Sequence, residues 1–222
     1  MEQLPNADIR TICRRLERAY GNPRHGNKRD PLDELIYIIL STRTRDASYA
    51  RTFHHLKQEY RHWDEALFRP KSHLTRLLAP GGLGRLKAKQ ILQILSLLTR
   101  YFGYATLAPL RQFADADAEE FLTALPGVGK KVAKCVMMYS LGRSVLPVDT
   151  HVHRVASRIG FDVKRRPDTS QDLIEAAVPP SLRYSFHVNA IAHGRAVCLS
   201  RSPRCSVCCI AYHCQFFLDR RS

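Results

Sequence analysis

Apolar residues recur at helical spacing through most of this 222-residue chain, and no segment alternates apolar and polar residues as a strand would. The run from Leu86 to Tyr101, for example, brings Ile91, Leu95 and Leu98 to one face of a helix. Helix starts are also visible, because Asp30-Pro31 precedes an apolar run and proline suits the first helical turn. The sequence therefore predicts an all-α fold.

A further helix is predicted from Asp117 to Leu125, because acidic residues open it as they do the segment after Asp30. Proline and glycine separate the helices, and no low-complexity segment lies between them. We therefore expect any second domain to pack directly against the first. The predicted breaks lie at residues 21–26, 80–84, 126–129, 146–147, 167 and 179–180.

The chain is strongly basic, with 35 lysine and arginine residues against 20 aspartate and glutamate residues and a net charge of +15. The surplus is confined to residues 66–114, 121–161 and 176–218, which together hold 18 basic residues and one acidic residue. Charge concentrated in this way is typical of proteins that bind a polyphosphate backbone. The composition therefore suggests nucleic acid as the partner.

No membrane segment is expected, because the longest strongly apolar run, Leu35 to Leu40, is far shorter than the roughly 20 residues of a bilayer span. The first residues mix acids with arginines and contain no apolar block, so we do not expect a secretory signal. We expect a cytoplasmic protein. Seven cysteines in such a chain favour metal binding or thiol chemistry over disulfides.

The segment from Leu125 to Lys131, Leu-Pro-Gly-Val-Gly-Lys-Lys, joins two apolar helices through a glycine-rich turn. Glycine permits positive φ and removes Cβ atoms, so that backbone N–H groups at a helix N-terminus can face an anion. Lys130, Lys131 and Lys134 lie directly downstream and favour a bound phosphate. The alternative is a tight corner between two helices that binds no ligand.

One of these lysines is a candidate nucleophile. A lysine near a helix N-terminus and beside another cation is expected to have a lowered pKa, which supplies free amine for attack on a carbon centre. On a helix, Lys130 and Lys134 share one flank, whereas Lys131 lies about 100° away. The spacing separates the lysines without choosing between them, and most lysines near DNA contact phosphates.

Asp149 is the only acidic residue in the basic stretch 121–161, within the segment Pro147-Val-Asp-Thr-His-Val-His-Arg154. The surrounding cations favour its ionised form, which suits a carboxylate that stabilises positive charge during a reaction. The alternative is structural, because Asp149 or Thr150 could cap the helix that follows. The two roles are compatible.

Four cysteines near the C-terminus follow the spacing Cys198-x6-Cys205-x2-Cys208-x5-Cys214. Four thiolates in one short loop suit a single polynuclear centre, so the compactness favours an iron–sulfur cluster over zinc, whose ligands usually come as two separated pairs. Unliganded thiols are the remaining alternative. Cys209 competes with Cys208 as a ligand, and the spacing leaves that choice open.

The other cysteines, Cys13 and Cys135, lie in apolar helical patterns and are predicted to be small core residues. Arg201 and Arg204 lie inside the cysteine loop. A loop braced by metal would hold these two arginines against phosphates.

Together these motifs resemble the endonuclease III family of the helix-hairpin-helix DNA glycosylase superfamily. The resemblance is carried by Leu125-Pro-Gly-Val-Gly-Lys-Lys-Val-Ala133, Val148-Asp-Thr-His-Val-His-Arg-Val155 and the four-cysteine spacing, in that order along the chain. Residues 31–46 resemble the family's early helix and loop, and residues 82–88 resemble its DNA-wedging loop. The match thus extends over nearly the whole chain.

The resemblance implies a two-lobed, all-α helix-hairpin-helix DNA glycosylase fold with a cleft between the lobes. One lobe would be a six-helix bundle over residues 23–144 that carries the hairpin. The other would combine residues 1–22 and 145–222 and hold a [4Fe-4S] cluster on Cys198, Cys205, Cys208 and Cys214. The implied partner is double-stranded DNA with a damaged or abasic nucleotide, bound by a nucleoid-associated monomer.

The resemblance also assigns roles to single residues. It implies a bifunctional DNA glycosylase and AP lyase in base excision repair, with Lys131 as the nucleophile that attacks C1′ and Asp149 as the carboxylate that stabilises charge or accepts a proton. Such an enzyme would remove oxidised pyrimidines, and cut the abasic strand by β-elimination. Further residues would contact DNA: the wedge Leu83, the phosphate-binding Gly127 and Gly129, and Lys130, His151, Arg201 and Arg204.

Arg43 departs from the family pattern, because it occupies the position where the family usually has a glutamine that fills the gap left by the flipped base. Arginine offers five donors and no acceptor. We expect Arg43 to favour an opposite guanine, whose O6 and N7 both accept hydrogen bonds.

Two other readings remain. One is a mismatch-specific thymine or uracil DNA glycosylase, and the other is a non-catalytic DNA-binding module that keeps the fold and the metal. The adenine-removing branch is disfavoured, because Lys131 fills the nucleophile position and no glutamate lies near residues 41–45.

Overall fold

The computed structural model describes residues 8–42, 46–79 and 84–221, with the backbone alone at 46 and 47. Within these ranges every regular element is helical and no strand occurs, which confirms the predicted all-α fold. Among the same residues, no helix combines the length and the hydropathy that a membrane crossing requires. The α-helices are α1 Ile9–Tyr20, α2 Pro31–Ser41, α3 Asp46–Glu59, α4 Lys71–Leu78, α5 Gly84–Phe102, α6 Asp115–Ala124, α7 Lys130–Tyr139, α8 Thr150–Ile159, α9 Pro167–Ala177, α10 Arg183–Ala196 and α11 Gln215–Leu218.

Short 3₁₀ turns connect several of these helices. They lie at Trp63–Leu67, Ala108–Gln112, Pro180–Leu182, Cys205–Val207 and Ala211–His213.

The helix that begins at Pro31 shows how the sequence sets a helix start. Asp30 caps α2 with its side chain, whose Oδ1 accepts hydrogen bonds from the backbone N–H groups of Leu32 at 3.0 Å and Asp33 at 2.9 Å. Pro31 occupies the first turn, where no intrahelical partner for its missing N–H is needed. The predicted start of this helix is confirmed.

The chain divides into two compact units, and the chain crosses between them twice. Unit 1 consists of residues 1–26 and 144–222, and unit 2 consists of residues 27–143.

Unit 2 contains helices α2 to α7. Helix α2 packs against α3 and α7, α4 packs against α5, and α6 packs against α7. The core consists of side chains at most 1% exposed, among them Leu35, Leu56, Ile91, Leu95, Leu122 and Val136. This packing holds the loop between α6 and α7 on a rigid support.

Unit 1 is built from both ends of the sequence. Helix α1 packs against α10, which also packs against α8. Their shared core includes Ile12, Leu16, Val152, Val155 and Phe186, none of them exposed. The C-terminal loop with the four cysteines adds Cys198, Ile210 and Cys214 to the same core. The loop is therefore anchored on α8 and α10 by apolar contacts.

Candidate functional site

The predicted hairpin lies in unit 2 as a short turn between the end of α6 and the first residue of α7. Val128 donates its N–H to the carbonyl of Leu125 at 3.1 Å, which closes the turn. Gly127 has φ of +69°, in the left-handed region. Gly129 is the N-cap of α7 and has no side chain to cap the helix. The first N–H groups of α7 therefore lack an intrahelical acceptor and can face an anion.

A second feature of the turn depends on glycine at position 127. A Cβ atom there would lie 2.7 Å from Nε2 of Gln90, on α5. That amide nitrogen donates to the carbonyl of Pro126 at 3.0 Å. The bare backbone of Gly127 thus lets Gln90 reach across and hold the loop.

The three lysines of α7 have different surroundings. Lys134 is 5% exposed and pairs with Glu119 of α6, with Nζ to Oε2 at 2.8 Å. Lys130 is exposed, and Lys131 is half-buried. The ion pair gives Lys134 a structural role in joining α6 to α7, so Lys130 and Lys131 remain as the candidates for chemistry.

Glu34 on α2 is a buried carboxylate beside Lys131 that sequence reasoning missed. Its side chain is fully buried. It accepts hydrogen bonds from Nδ2 of Asn27 at 2.5 Å and from the backbone N–H of Lys28 at 2.6 Å. Burial raises the pKa of Glu34, while the charges of Lys28 and Lys131 act in the opposite direction. In the sequence Glu34 looked like an ordinary acid in a first helical turn, and nothing there indicated its burial.

Asp149 lies in unit 1 as the N-cap of α8. Its Oδ1 accepts hydrogen bonds from the backbone N–H groups of His151 and Val152, both at 2.8 Å. Of the two capping candidates, Asp149 is the cap and Thr150 is the first helical residue. No described group donates to the other oxygen, Oδ2, and the residue is half-buried. One carboxylate oxygen is therefore fixed by the helix, and the other is available for a ligand.

The surroundings of His151 favour its neutral form. Burial lowers its pKa, an effect that the nearby Asp149 opposes and the cations Arg154 and Arg195 reinforce. The ring nitrogen Nδ1 lies 3.0 Å from Nη2 of Arg154 and accepts from that guanidinium. A Cβ on Gly194 of α10 would lie 2.9 Å from the Cβ of His151, so glycine there allows α8 and α10 to approach.

The four predicted metal-binding cysteines surround one cavity in unit 1. Cys198, Cys205, Cys208 and Cys214 all line it, and Cys209 does not. The sequence left Cys208 and Cys209 as competitors, and the structure favours Cys208.

The arrangement of these thiols bears on which metal they fit. Within the described ranges, no three cysteine, histidine or acidic side chains converge closely enough to hold a single metal ion. The four thiols line a shared space, and four thiolates from one loop suit a polynuclear cluster that takes one thiolate at each iron. Burial raises the pKa of Cys208 to about 12 and also raises the pKa of Cys214. Metal binding at this site must therefore release protons.

Two arginines of α8, one turn apart, hold the cysteine loop. Nη1 of Arg158 donates to Sγ of Cys198 at 3.2 Å and to the carbonyl of Leu199 at 2.7 Å. Nε of Arg154 donates to the carbonyl of Cys198 at 2.8 Å. In the sequence, both arginines were only part of a basic stretch. Their i, i+4 spacing on one helix was the one sign that they bind the same segment.

A buried histidine lies on the other side of the thiols. Nε2 of His193 lies 3.5 Å from Sγ of Cys208, and its Nδ1 lies 2.8 Å from the hydroxyl of Tyr20. Burial lowers the pKa of His193 to about 4, so the ring is neutral. Tyr20 of α1 thus holds a histidine of α10 that lines the cavity.

The remaining predicted residues have varied positions. Arg201 and Arg204 are exposed on the cysteine loop, and Arg204 also lines the cavity. Cys13 and Cys135 are buried, 1% and 4% exposed, as predicted for core residues. Arg43 and Leu83 lie outside the described residues. The hairpin group belongs to unit 2, and Asp149, His151 and the cysteines belong to unit 1.

Known proteins match this chain closely. The protein-family model described as HhH-GPD superfamily base excision DNA repair protein matches residues 36–180. Endonuclease III of Thermotoga maritima is 31% identical over 198 residues, which cover 89% of this chain and 89% of that protein.

Solved structures give the same picture. A structure of a non-covalent endonuclease III–DNA complex matches with a TM-score of 0.83 and 25% identity, over 100% of this chain and 99% of that chain. A structure of a thermostable thymine-DNA glycosylase has a TM-score of 0.80 over 95% of this chain and 96% of that chain. Its identity is 21%, so that likeness concerns the fold alone.

Proposed function

Because the chain belongs to the endonuclease III family of the HhH-GPD superfamily, and is therefore a base excision repair DNA glycosylase, we propose that it excises oxidised pyrimidines from duplex DNA and cleaves the abasic strand. The observation that carries this proposal is Lys131, half-buried on the first turn of α7 directly after a glycine hairpin. We propose that it acts as a monomer, on DNA of the nucleoid.

Lys131 is the proposed nucleophile. Its uncharged amine attacks C1′ of the damaged nucleotide, and the glycosidic bond breaks as its electron pair leaves with the base. The nitrogen then loses a proton, and its lone pair forms the C=N bond of the Schiff base as the C1′–O4′ bond of the sugar ring breaks and O4′ takes up a proton. The imine then acidifies the neighbouring sugar proton, and β-elimination breaks the bond to the 3′ phosphate oxygen.

Asp149 is the proposed partner of Lys131 in this reaction. Its Oδ1 is occupied by the capped N–H groups of α8, which leaves Oδ2 to face the sugar. An ionised carboxylate stabilises the positive charge that develops on the sugar ring as the base departs. The same oxygen can accept a proton from the attacking amine.

DNA binding is supported by the match to a structure of an endonuclease III–DNA complex. We propose that the N–H groups around Gly127 and Gly129 hold a phosphate beside the damaged nucleotide, with Lys130 adding charge. Leu83 would fill the space of the flipped nucleotide, and Arg43 would read the opposite base. Flipping costs a few kcal/mol, and these contacts offset it.

A [4Fe-4S] cluster is proposed in the cysteine cavity, as the family implies. Cys198, Cys205, Cys208 and Cys214 would hold it as thiolates, one at each iron. The cluster would brace the loop that presents Arg201 and Arg204 to DNA. The proposed reaction itself uses only side chains of this chain.

Trapping of the Schiff base tests the proposal. Wild-type protein incubated with abasic duplex and borohydride should form a covalent protein–DNA complex, because borohydride reduces an imine to a stable amine. Lys131→Gln should form none. Lys130→Gln is the matched variant one residue away, and it should bind more weakly but still be trapped at saturating protein.

The other functions give different results in the same assay. A mismatch-specific glycosylase would release thymine or uracil from a mismatched duplex without trapping. A DNA-binding module would bind without either reaction. Wild-type protein that is never trapped would therefore refute the lyase, and base release would then decide between the two alternatives.

A further inference from the structure

Unit 2 contains a groove whose lining, among the described residues, overlaps the hairpin only at Pro126 and includes no residue of the cysteine cavity. It lies between α4, α5 and the 3₁₀ turn Trp63–Leu67, with a volume of about 740 Å³. Apolar side chains line part of its wall, among them Leu67, Leu92 and Leu97. None of its side chains has a role in the proposed reaction.

The charged side chains of this groove are all positive. Arg69, Lys71, Arg85 and Lys89 line it and are exposed, and no acidic residue lines it. In the described part of the chain, none of the four pairs with a carboxylate. Concentrated positive charge in a concave surface attracts and orients anionic partners.

These four cations differ in this respect from others of unit 2. Lys57 pairs with Asp33 at 3.2 Å, and Lys134 pairs with Glu119 at 2.8 Å. Those pairs join helices to each other and to the core. The groove cations form no such ion pairs within the described chain. Their charges are therefore available to solvent or to a partner.

The groove continues from the hairpin. Pro126, in the hairpin loop, is one of its lining residues. Gln90 of α5 donates to the carbonyl of that same proline at 3.0 Å, which fixes the loop against the groove wall. Arg85 and Lys89 both precede Gln90 on the same helix and lie one turn apart. The helix that holds the hairpin loop therefore also carries two of the groove cations.

We propose that this groove binds the sugar–phosphate backbone of duplex DNA flanking the damaged site, on the side where Gln90 of α5 contacts the hairpin. The proposal rests on the function proposed above. The cations would contact phosphates, and the apolar wall would pack against deoxyribose carbons. An acidic segment of a protein partner is the competing occupant, but only DNA explains why the groove and the hairpin form one surface.

Binding measurements with duplexes of different length test this proposal. Arg69→Ser/Lys71→Ser removes the two groove cations that lie at the start of α4, on a different element from Gln90 and the hairpin. Lys164→Ser/Arg165→Ser is the matched control, because both residues are exposed in unit 1 and the net charge changes equally. The ligand is a duplex with a stable abasic analogue, flanked by DNA that is short on both sides or long on one side at a time.

The groove variant should lose roughly tenfold in affinity for duplexes extended on one particular side, with the slope of log affinity against log salt reduced by about 2. Its affinity for the short duplex, and its trapping rate at saturating DNA, should equal those of the wild type. The control variant should show no dependence on flank length.

Equal losses in the two variants, or no loss with long flanks, would overturn the proposal. A variant that binds all duplexes normally but loses affinity for polyglutamate would assign the groove to an acidic protein partner instead. Because the ligand is a stable abasic analogue, the binding result does not depend on catalysis. Failure of the proposed function would appear separately, as wild-type protein that is not trapped on reactive abasic DNA.

Discussion

Asp149 uses its two carboxylate oxygens differently, and this makes its structural and chemical roles separable. Oδ1 accepts two backbone N–H groups of α8, whereas no described group donates to Oδ2. Asparagine caps a helix about as well as aspartate does, but it carries no charge. The substitution Asp149→Asn therefore removes the charge and leaves the cap.

We expect Asp149→Asn to lower the single-turnover rate of base release by about 100-fold, because the proposed mechanism uses the charge of this carboxylate to stabilise the reacting sugar. Its melting temperature should stay near that of the wild type. Asp149→Ala should lose the cap as well, at about 1 kcal/mol of stability. Asp30→Asn is the control, because Asp30 caps α2 in the same way without a proposed role in chemistry. Full activity in Asp149→Asn would remove the carboxylate from the mechanism.

Glu34 places a titratable group inside unit 2. Its usual pKa is 4.5, and burial raises the pKa in the folded protein. The folded state then holds a proton that the unfolded state has released. Stability linked to Glu34 is complete below pH 4.5 and is lost as the pH rises through the raised pKa.

We expect Glu34→Gln to remove this loss of stability at rising pH. The stability of the variant, measured by urea unfolding across pH, should fall less than that of the wild type above pH 4.5. The difference amounts to about 1.4 kcal/mol for each unit by which the pKa is raised. Glu120→Gln is the control, because Glu120 is exposed on α6. Parallel curves for Glu34→Gln and wild type would show that Glu34 titrates normally.

At the scale of the element, the hairpin contains two glycines with different requirements. Gly127 has φ of +69° and contacts Gln90, whereas Gly129 has φ of −93° and open space around it. A side chain at position 127 would be strained by the positive φ and would collide with Gln90. A side chain at 129 meets nothing within the protein.

Gly127→Ala should lower the stability of unit 2 by about 2 kcal/mol, because a non-glycine residue in the left-handed region costs 1–2 kcal/mol and the Gln90 bond is disturbed. Gly129→Ala should cost less than about 1 kcal/mol. If the N–H groups of this turn hold a phosphate, however, the new methyl group at 129 should weaken DNA binding. Urea unfolding and DNA affinity of both variants check this, and normal DNA affinity in Gly129→Ala would contradict the phosphate site.

The helices of this protein could be predicted where the signal is local. Asp30 and Pro31 mark the start of α2 because capping and proline act within one turn. The bounds of α6 are less well marked in the sequence. The predicted helix runs from Asp117 to Leu125, whereas the observed helix is Asp115–Ala124. The all-α class and the hairpin turn depend on spacing and glycine, and both were visible in the sequence.

Parts of the candidate site could not be predicted, because their partners are distant in the chain. Cys208 and Cys209 are neighbours in sequence, and only packing turns one of them into the cavity. Arg158 reaches Cys198 across forty positions. Glu34 is buried by residues of a loop and of α7, and no local pattern distinguishes it from an exposed acid.

At the scale of the whole molecule, the cysteine cavity belongs to one of two units that have their own cores. Cys208→Ser should abolish iron binding and the brown colour expected of a four-thiolate cluster, which carries about four irons. Cys209→Ser should retain both, because Cys209 does not line the cavity.

The same pair of variants also separates the units. In Cys208→Ser, hydrogen exchange should speed up in residues 198–214 and in α8, which anchors that loop, while residues 27–143 keep wild-type exchange. Iron retained in Cys208→Ser, or lost equally in both variants, would contradict the assignment of ligands. Uniform acceleration across the chain would show that the two units unfold together.

The construction of unit 1 from both chain ends sets an order of events during synthesis. Residues 27–143 are contiguous, so unit 2 has all its residues as soon as they leave the ribosome, and domains fold as units while the chain is made. Helix α1 emerges before unit 2, whereas its partner α10 is translated after unit 2. The apolar face of α1 that carries Ile12 and Leu16 therefore stays exposed to solvent while all of unit 2 is synthesised. A ribosome that stalls after unit 2 would release a folded bundle attached to an amphipathic helix with no partner, a natural target for chaperones and proteases.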